Sequence, residues 1–332
     1  MILHIVPTPD PTLLGELRDH YGAVGFVTDD HHVLVLSSKV RAIEDRFLPI
    51  VQEQFVLDDD IQLASTRYRS KKREVRIGNI VIGGETRNTA FIAGPCSVES
   101  RAQIETVCER LVKEEIRVLR AGAFKPRTSP YVFQGLGHDG LQLLAEMRQK
   151  YGLAIVTEVR DATHVDAVIE VADVVQIGAK AMYDHGILRA CGKSRKAVLL
   201  KRGFGSTVQE LVQAAEFMLS AGNENVILCE RGIRTFETKT RFTLDLCGVA
   251  YLKQHTNLPV VVDTSHAMGY RYGVPDLTRA ATAMGVDGLL IESHPTPDQA
   301  LSDAAQQIDL DTLSELVASV RKVAKAVDRK IV

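Results

Sequence analysis

The stretch LAIVTEVRDATHVDAVIEVADVVQIG, residues 153–178, decides the fold. Two apolar runs rich in β-branched residues, 153–159 and 173–178, enclose an amphipathic segment. Runs without polar alternation suit parallel strands buried on both faces, and parallel neighbours need a crossover helix between them. Working outward, the same unit recurs as AFIAG at 90–94, RVLRAG at 117–122, AVLLKRG at 197–203, NVILCERG at 225–232, LPVVVDTSH at 258–266 and GLLIESH at 288–294. Eight such strands alternating with helices predict a closed (β/α)8 TIM barrel over residues 89–332, with a doubly wound open sheet as the alternative.

Residues 1–66 follow another rhythm. An apolar run (Ile2 to Val6), an amphipathic helix (Pro11 to Tyr21), strands at Val24 to Thr28 and His32 to Leu36, a helix at Val40 to Gln52 and a strand at Phe55 to Leu57 give the βαββαβ order of a small ferredoxin-like domain. That fold specifies no function by itself. Residues 67–88 join it to the barrel. Within the segment ASTRYRSKKREVR, the cations Arg67, Arg69, Lys71, Lys72, Arg73 and Arg76 read as a solvated linker, and VRIGNIVIGG at 75–84 reads as a hairpin placed to plug the barrel bottom.

With 45% hydrophobic and 25% charged residues, the chain has the balance of a protein with a sizeable core. A formal charge of −2 gives no positive field for nucleic acid or an anionic membrane. The first residues carry no basic region followed by a long apolar run, so a cytoplasmic location is expected. Cys96, Cys108, Cys191, Cys229 and Cys247 are odd in number, widely spaced and without a CxxC, which argues against a disulfide framework and a structural zinc site.

Barrel enzymes draw their catalytic groups from the C-terminal strand ends. Cys96 follows the first run, His266 the seventh and Glu292 the eighth, whose loop adds Asp298 and Asp303. Closure makes these strands neighbours, and a thiolate, an imidazole and carboxylates suit Mn(II), Fe(II), Zn(II) or Co(II) better than magnesium or calcium. Arg120, Lys125 and Arg127 follow strand two, Lys180 strand four, Lys201 and Arg202 strand five, and Arg231 and Arg234 strand six. Eight cations at one mouth predict substrates with several negative charges, such as phosphates and a carboxylate. A Schiff-base aldolase using Lys180 or Lys201, and a non-enzymatic metabolite sensor, are the competing readings.

The stretches AGPCSVES, RAGAFKPRTSPYVFQG, LLKRG, ERGIRTFE, VDTSHAMG and IESHP lie in order from Ala93 to Pro295. In them the sequence resembles the 3-deoxy-D-arabino-heptulosonate 7-phosphate (DAHP) synthases, in the short microbial branch related to the 3-deoxy-D-manno-octulosonate 8-phosphate (KDO8P) synthases. The resemblance implies a transferase of chorismate and aromatic amino acid biosynthesis, condensing phosphoenolpyruvate with erythrose 4-phosphate at the start of the shikimate pathway. It implies metal ligands Cys96, His266, Glu292 and Asp303, and no organic cofactor. Phosphoenolpyruvate would meet Arg120, Lys125, Lys180, Lys201 and Arg231; the aldose phosphate would meet Arg127, Thr128 and Ser129 of KPRTS. Lys125, Cys96 and His266 would be the catalytic residues, Lys125 as proton donor, with Glu158 a further polar site residue. A homo-oligomer, tetramer or dimer, and tyrosine or phenylalanine as effector of the N-terminal domain are also implied. Departures are Lys180 and Ala181 where Arg-Asn is usual, Lys239 in place of an aromatic and Thr264 in place of Pro. They leave open a paralogous synthase using another aldose phosphate.

Overall fold

In the computed structural model, which describes residues 1–28, 32–125, 129 and 131–332, the first apolar run becomes the centre of a small sheet. Strand β1 (Ile2–Ile5) is followed by helix α1 (Pro11–Tyr21), β2 (Val24–Val27), β3 (His32–Val35) and β4 (Val51–Phe55). All pairings are antiparallel, in the order β2-β3-β1-β4 of a ferredoxin-like unit. Asp10 starts α1 by accepting the Thr12 and Leu13 amides, and Gly22, at φ 59°, ends it. On one face of the sheet Leu3, Ile5 and Leu34 pack against Leu17 and Phe47; on the other Ile2 and Val33 join the barrel's outer core. Burial on both faces explains why β1 carries no alternation. The expected helix over Val40 to Gln52 is instead a single 3-10 segment, Asp45–Ile50, and the following strand begins at Val51 rather than Phe55. Pro49 has no N–H to continue a helical ladder, while Phe47 and Ile50 still reach the small core.

Arg67, Lys71 and Arg76 of the basic segment are exposed, as expected of a linker, but Lys72 and Arg73 are docked on the barrel. Arg73 is 3% exposed, donates to Asn257 Oδ1 at 2.9 Å and to Leu63 O at 3.2 Å, and pairs with Glu224. Lys72 caps carbonyls of Lys253 and Thr256 at the end of a barrel helix. Strands β5 (Glu74–Ile77) and β6 (Ile80–Gly83) form the expected hairpin, turning at Gly78, where φ is +58° and an added Cβ would lie 2.8 Å from Ala154 Cβ. Val75, Ile77 and Ile82 fill the lower end of the barrel beside Ala90, Ala154, Val174 and Ala197.

Eight parallel strands follow: β7 (Asn88–Gly94), β8 (Val118–Arg120), β9 (Ala154–Val159), β10 (Val174–Ile177), β11 (Ala197–Lys201), β12 (Val226–Glu230), β13 (Val260–Asp263) and β14 (Gly288–Glu292). Pairing of β14 with β7, from Gly288↔Ala90 to Glu292↔Gly94, closes the barrel, so the open-sheet alternative is set aside. The crossovers are α2 (Arg101–Lys113), α3 (His138–Tyr151), α4 (Val165–Val171), α5 (His185–Ser194), α6 (Val208–Leu219), α7 (Leu246–His255), a short α8 (Thr264–Met268) with α9 (Val274–Ala283), and after β14 α10 (Leu310–Ala326). Strand β15 (Lys330–Ile331) pairs beside the start of β7. Period-two alternation separates two cores: Ile92, Val156, Leu199 and Leu290 point into the barrel, while Phe91, Ile155, Val198 and Leu289 pack under the helices. No described helix is long and apolar enough to cross a membrane.

Candidate active site

At the C-terminal mouth the structure brings four expected donor residues together. Cys96 Sγ lies 3.2 Å from Asp303 Oδ2, and ligand atoms of Cys96, Glu292 and Asp303 lie within 4.8 Å of one another. His266 Nε2 is 3.7 Å from Glu292 Oε1 and 3.8 Å from Asp303 Oδ2. Its Nδ1 is 2.8 Å from Asp263 Oδ2, and burial lowers the imidazole below its usual range. A neutral ring that donates through Nδ1 to Asp263 presents the Nε2 lone pair to the cluster, which is the tautomer a metal needs. Burial, then the Glu292 charge, push the Cys96 thiol up to about 12 against the opposing pull of Lys125. The buried set therefore brings together two carboxylates, a neutral imidazole and a thiol, a donor set that fits a borderline divalent metal.

The local backbone serves this arrangement. Gly94 adopts φ +146°, and a Cβ there would lie 2.2 Å from Arg120 O, so only glycine lets β7 turn towards Cys96 beside β8. The Cys96 amide donates to Gln307 Oε1 at 3.0 Å, and the Glu292 amide to Ser265 Oγ at 2.9 Å. Asp303 takes a left-handed φ of 46°, a cost of order 1 kcal/mol for a non-glycine residue, concentrated where the ligand set converges.

Beside the cluster lies a cavity of about 270 Å³ lined by Lys125, Glu158, Lys180, Lys201, Arg231, Arg241, His266 and Asp303, with Phe204 and Phe242. Lys125 Nζ sits 3.0 Å from Cys96 Sγ; burial works against its charge, but Cys96, Glu158 and Glu292 outweigh it and raise the ammonium above its ordinary range. Lys201 Nζ is 2.5 Å from Asp263 Oδ2. Arg231 is different: it is 4% exposed, its Nε has no partner among the described residues, and its guanidinium stacks 4.2 Å over the Phe242 ring. Burial lowers its pKa from the usual arginine value. A desolvated cation without a carboxylate is costly unless an anionic ligand completes it. Gly178 leaves room for Glu158, whose Oε1 would stand 2.2 Å from an added Cβ.

Other expected positions fall elsewhere. Arg120 lies behind the cavity wall, donating to Glu292 Oε1 at 2.7 Å and Pro95 O at 2.9 Å, with its Nε unpartnered. Arg202 does not line the cavity: it is buried against Glu230 and Asp245, both at 2.8 Å, and these carboxylates neutralise it. Arg234 stacks 4.8 Å over Phe204 at the rim, and Asp298 pairs with Arg271 at the surface. Ser129 makes local contacts, accepting from the Tyr131 amide and, through its carbonyl, from Gln134, and does not line the cavity; Arg127 and Thr128 lie outside the described residues. Thr264 points away from the site, its hydroxyl 2.8 Å from that of Thr278. Sequence reasoning missed Asp263, Arg241, Phe204, Phe242 and the Gln306–Gln307 pair. Asp263 stood inside VDTSH and Arg241 two residues beyond Lys239, but nothing local distinguished them.

Comparison with known proteins agrees with this fold. Phospho-2-dehydro-3-deoxyheptonate aldolase of Thermotoga maritima is 40% identical over 310 residues, 93% of this chain and 88% of that protein. The 2-dehydro-3-deoxyphosphooctonate aldolase of Syntrophotalea carbinolica is 35% identical over 266 residues, 74% of this chain and 95% of that one. The crystal structure of the Thermotoga maritima DAHP synthase superimposes with a TM-score of 0.81 at 36% identity, covering 100% of this chain and 99% of that one. A truncated form of the same enzyme gives 0.77 at 39% identity, covering 82% of this chain and all of that one. The family model described as DAHP synthetase I family matches residues 61–329, from the segment docked on α6 to the end of the barrel, and with it this chain belongs to the DAHP synthetase I family.

Proposed function

We propose that the chain condenses phosphoenolpyruvate with erythrose 4-phosphate to give DAHP and inorganic phosphate, the first step of the shikimate pathway. The observation that carries this reading is the pairing, across one small cavity, of a metal-ligand set with a buried Arg231 that makes no ion pair among the described residues. A divalent metal held by Cys96, His266, Glu292 and Asp303 supplies a Lewis acid for the aldehyde oxygen.

Arg231, Lys180 and Lys201 bind the phosphate and carboxylate of phosphoenolpyruvate, and Arg120, with a buried Nε to spare, reaches the same substrate from behind. Arg127, Thr128 and Ser129 hold the aldose phosphate. C3 of phosphoenolpyruvate forms the new bond to the aldehyde carbon, and Lys125 Nζ gives a proton to the aldehyde oxygen as it becomes a hydroxyl. Water adds its oxygen at C2; one of its protons restores the one given by Lys125, and the other leaves with the inorganic phosphate. The C2–O bond to phosphate then breaks, leaving the ketone, with the cations stabilising the departing anion. The contact of Lys201 with Asp263 supports a phosphoenolpyruvate-binding role for it over that of a Schiff-base nucleophile. The small N-terminal domain regulates, with tyrosine or phenylalanine as effector, and the enzyme works as a cytoplasmic homo-oligomer.

Incubating the protein with manganese(II), phosphoenolpyruvate and erythrose 4-phosphate should release phosphate in step with a seven-carbon product identified by mass. Turnover only with arabinose 5-phosphate, or borohydride trapping of substrate on Lys180 or Lys201, would refute the assignment.

A further inference from the structure

Gln306 is 1% exposed and touches three functional elements at once. Its Nε2 donates to Glu292 Oε2 at 2.5 Å, its Oε1 accepts from Arg241 at 2.5 Å, and its backbone amide donates to Asp303 O at 3.2 Å. The Arg241–Phe242 segment is itself bound to the His266 helix, through Arg241 N–H to Met268 O at 3.1 Å and Phe242 N–H to Ala267 O at 3.0 Å. With Gln306 on Oε2, the other oxygen of Glu292 is turned towards His266 and Arg120.

We infer that Gln306 is a positioning residue that couples the metal-ligand carboxylate Glu292 to Arg241 in the substrate cavity. The inference rests on the metal-assisted condensation proposed above. An amide is the side chain suited to this place, since Glu292 offers only acceptors and Arg241 only donors, and one planar group satisfies both. The neighbouring Gln307 faces the other side of the loop, accepting from the Cys96 amide at 3.0 Å and donating to Ser302 O at 2.9 Å, so it cannot replace these contacts. Arg241 is ordered from one side by Gln306 and from the other by Asp303 Oδ1 at 3.5 Å. Loss of the amide frees the Glu292 carboxylate to rotate and Arg241 to swing towards Asp303.

The test uses Gln306→Met, which keeps the length and removes both hydrogen bonds, together with Arg241→Met and the double variant. Gln306→Met should bind cobalt(II) about 10–100-fold more weakly, the usual effect of losing a group that orients a ligand, with an altered visible absorption. Its KM for at least one phosphorylated substrate should rise, as should that of Arg241→Met, and the double variant should show no further rise in that KM. A packing role alone would lower the thermal midpoint without moving the cobalt spectrum. Wild-type cobalt affinity and spectrum in Gln306→Met overturn the inference, and so do KM increases that add fully in the double variant. If Gln306→Met does not fold, Gln306→Asn, which keeps the amide but shortens its reach, faces the same criteria. Failure of the wild-type protein itself to take up cobalt(II) overturns the metal reading and this inference together, which separates that case from failure of the variant alone.

Discussion

Glu216 on α6 carries the most quantitative expectation. Its carboxylate accepts the backbone amides of Gln62, Leu63 and Ala64 at 2.8, 3.1 and 2.8 Å, clasping the segment that leads from the small sheet to the barrel. The stem reaches the surface but the carboxyl end is enclosed, and burial raises it from 4.5 to about 7 against the opposing pull of the three amides and Arg73. The folded pKa is raised, so the contribution of this group to stability is fully present below about 4.5 and is lost as pH rises through 7. A difference of about 2.5 units at roughly 1.4 kcal/mol per unit gives about 3 kcal/mol at most. With roughly 2.1 cal/mol/K per residue of unfolding entropy, that is a thermal midpoint shift of about 4 °C for a chain of this size. Glu216→Gln keeps the shape and removes the titration. Differential scanning calorimetry at pH 5 and pH 8 should show the wild type losing about 4 °C more than Glu216→Gln between the two values. An equal change in both proteins, or a greater loss in the variant, refutes the reasoning and means the three amides hold the carboxylate ionised throughout.

Cys96→Ala should lower bound metal, measured by atomic absorption, and reduce turnover at least about a hundredfold while the circular dichroism is unchanged; full activity with full metal content would sink the metal-site assignment. Lys180→Arg should leave the KM for phosphoenolpyruvate unchanged or up to about tenfold lower, because a guanidinium fork matches phosphate; complete loss of activity would give this lysine a chemical role of its own. Removal of residues 1–60, which keeps Leu63 and Ala64 in the barrel's outer core, should yield an active barrel insensitive to aromatic amino acids, while the full chain is inhibited by tyrosine or phenylalanine. Full-length enzyme indifferent to both would leave the small domain a structural role only.

The barrel was legible because its signals are local. Each strand, such as AVLLKRG or NVILCERG, is apolar throughout since both of its faces are buried, and the residues after it reach the mouth by topology alone. Cys96, His266 and Glu292 could therefore be named from their places after strands one, seven and eight, whereas the choice of Asp303 over Asp298 came from the family resemblance, and closure of β14 on β7 brings the set together. The small domain was legible in its order but not in its second helix, where Pro49 and the pull of the sheet on Phe47 and Ile50 set the conformation. The basic segment misled because charge runs are usually solvated, whereas Lys72 and Arg73 found helix-end carbonyls, Asn257 and Glu224 some 150 residues or more away in sequence.

The sharpest limit is the contrast between KRG at 201–203 and ERG at 230–232. Both put an arginine just past a strand, and strand position gives them the same rank; only the family resemblance set Arg231 apart as a substrate-binding residue. Arg202 turns out to be neutralised by Glu230 and Asp245, while Arg231 stands over Phe242 with no ion pair among the described residues. Likewise Gln306 had no local mark, although it joins Glu292 to Arg241. Periodicity and strand position determine burial and the face of the barrel because they depend on near neighbours in the chain. Whether a cation is spent on a carboxylate or left for a substrate depends on which distant side chain arrives beside it, and only the tertiary structure decides that.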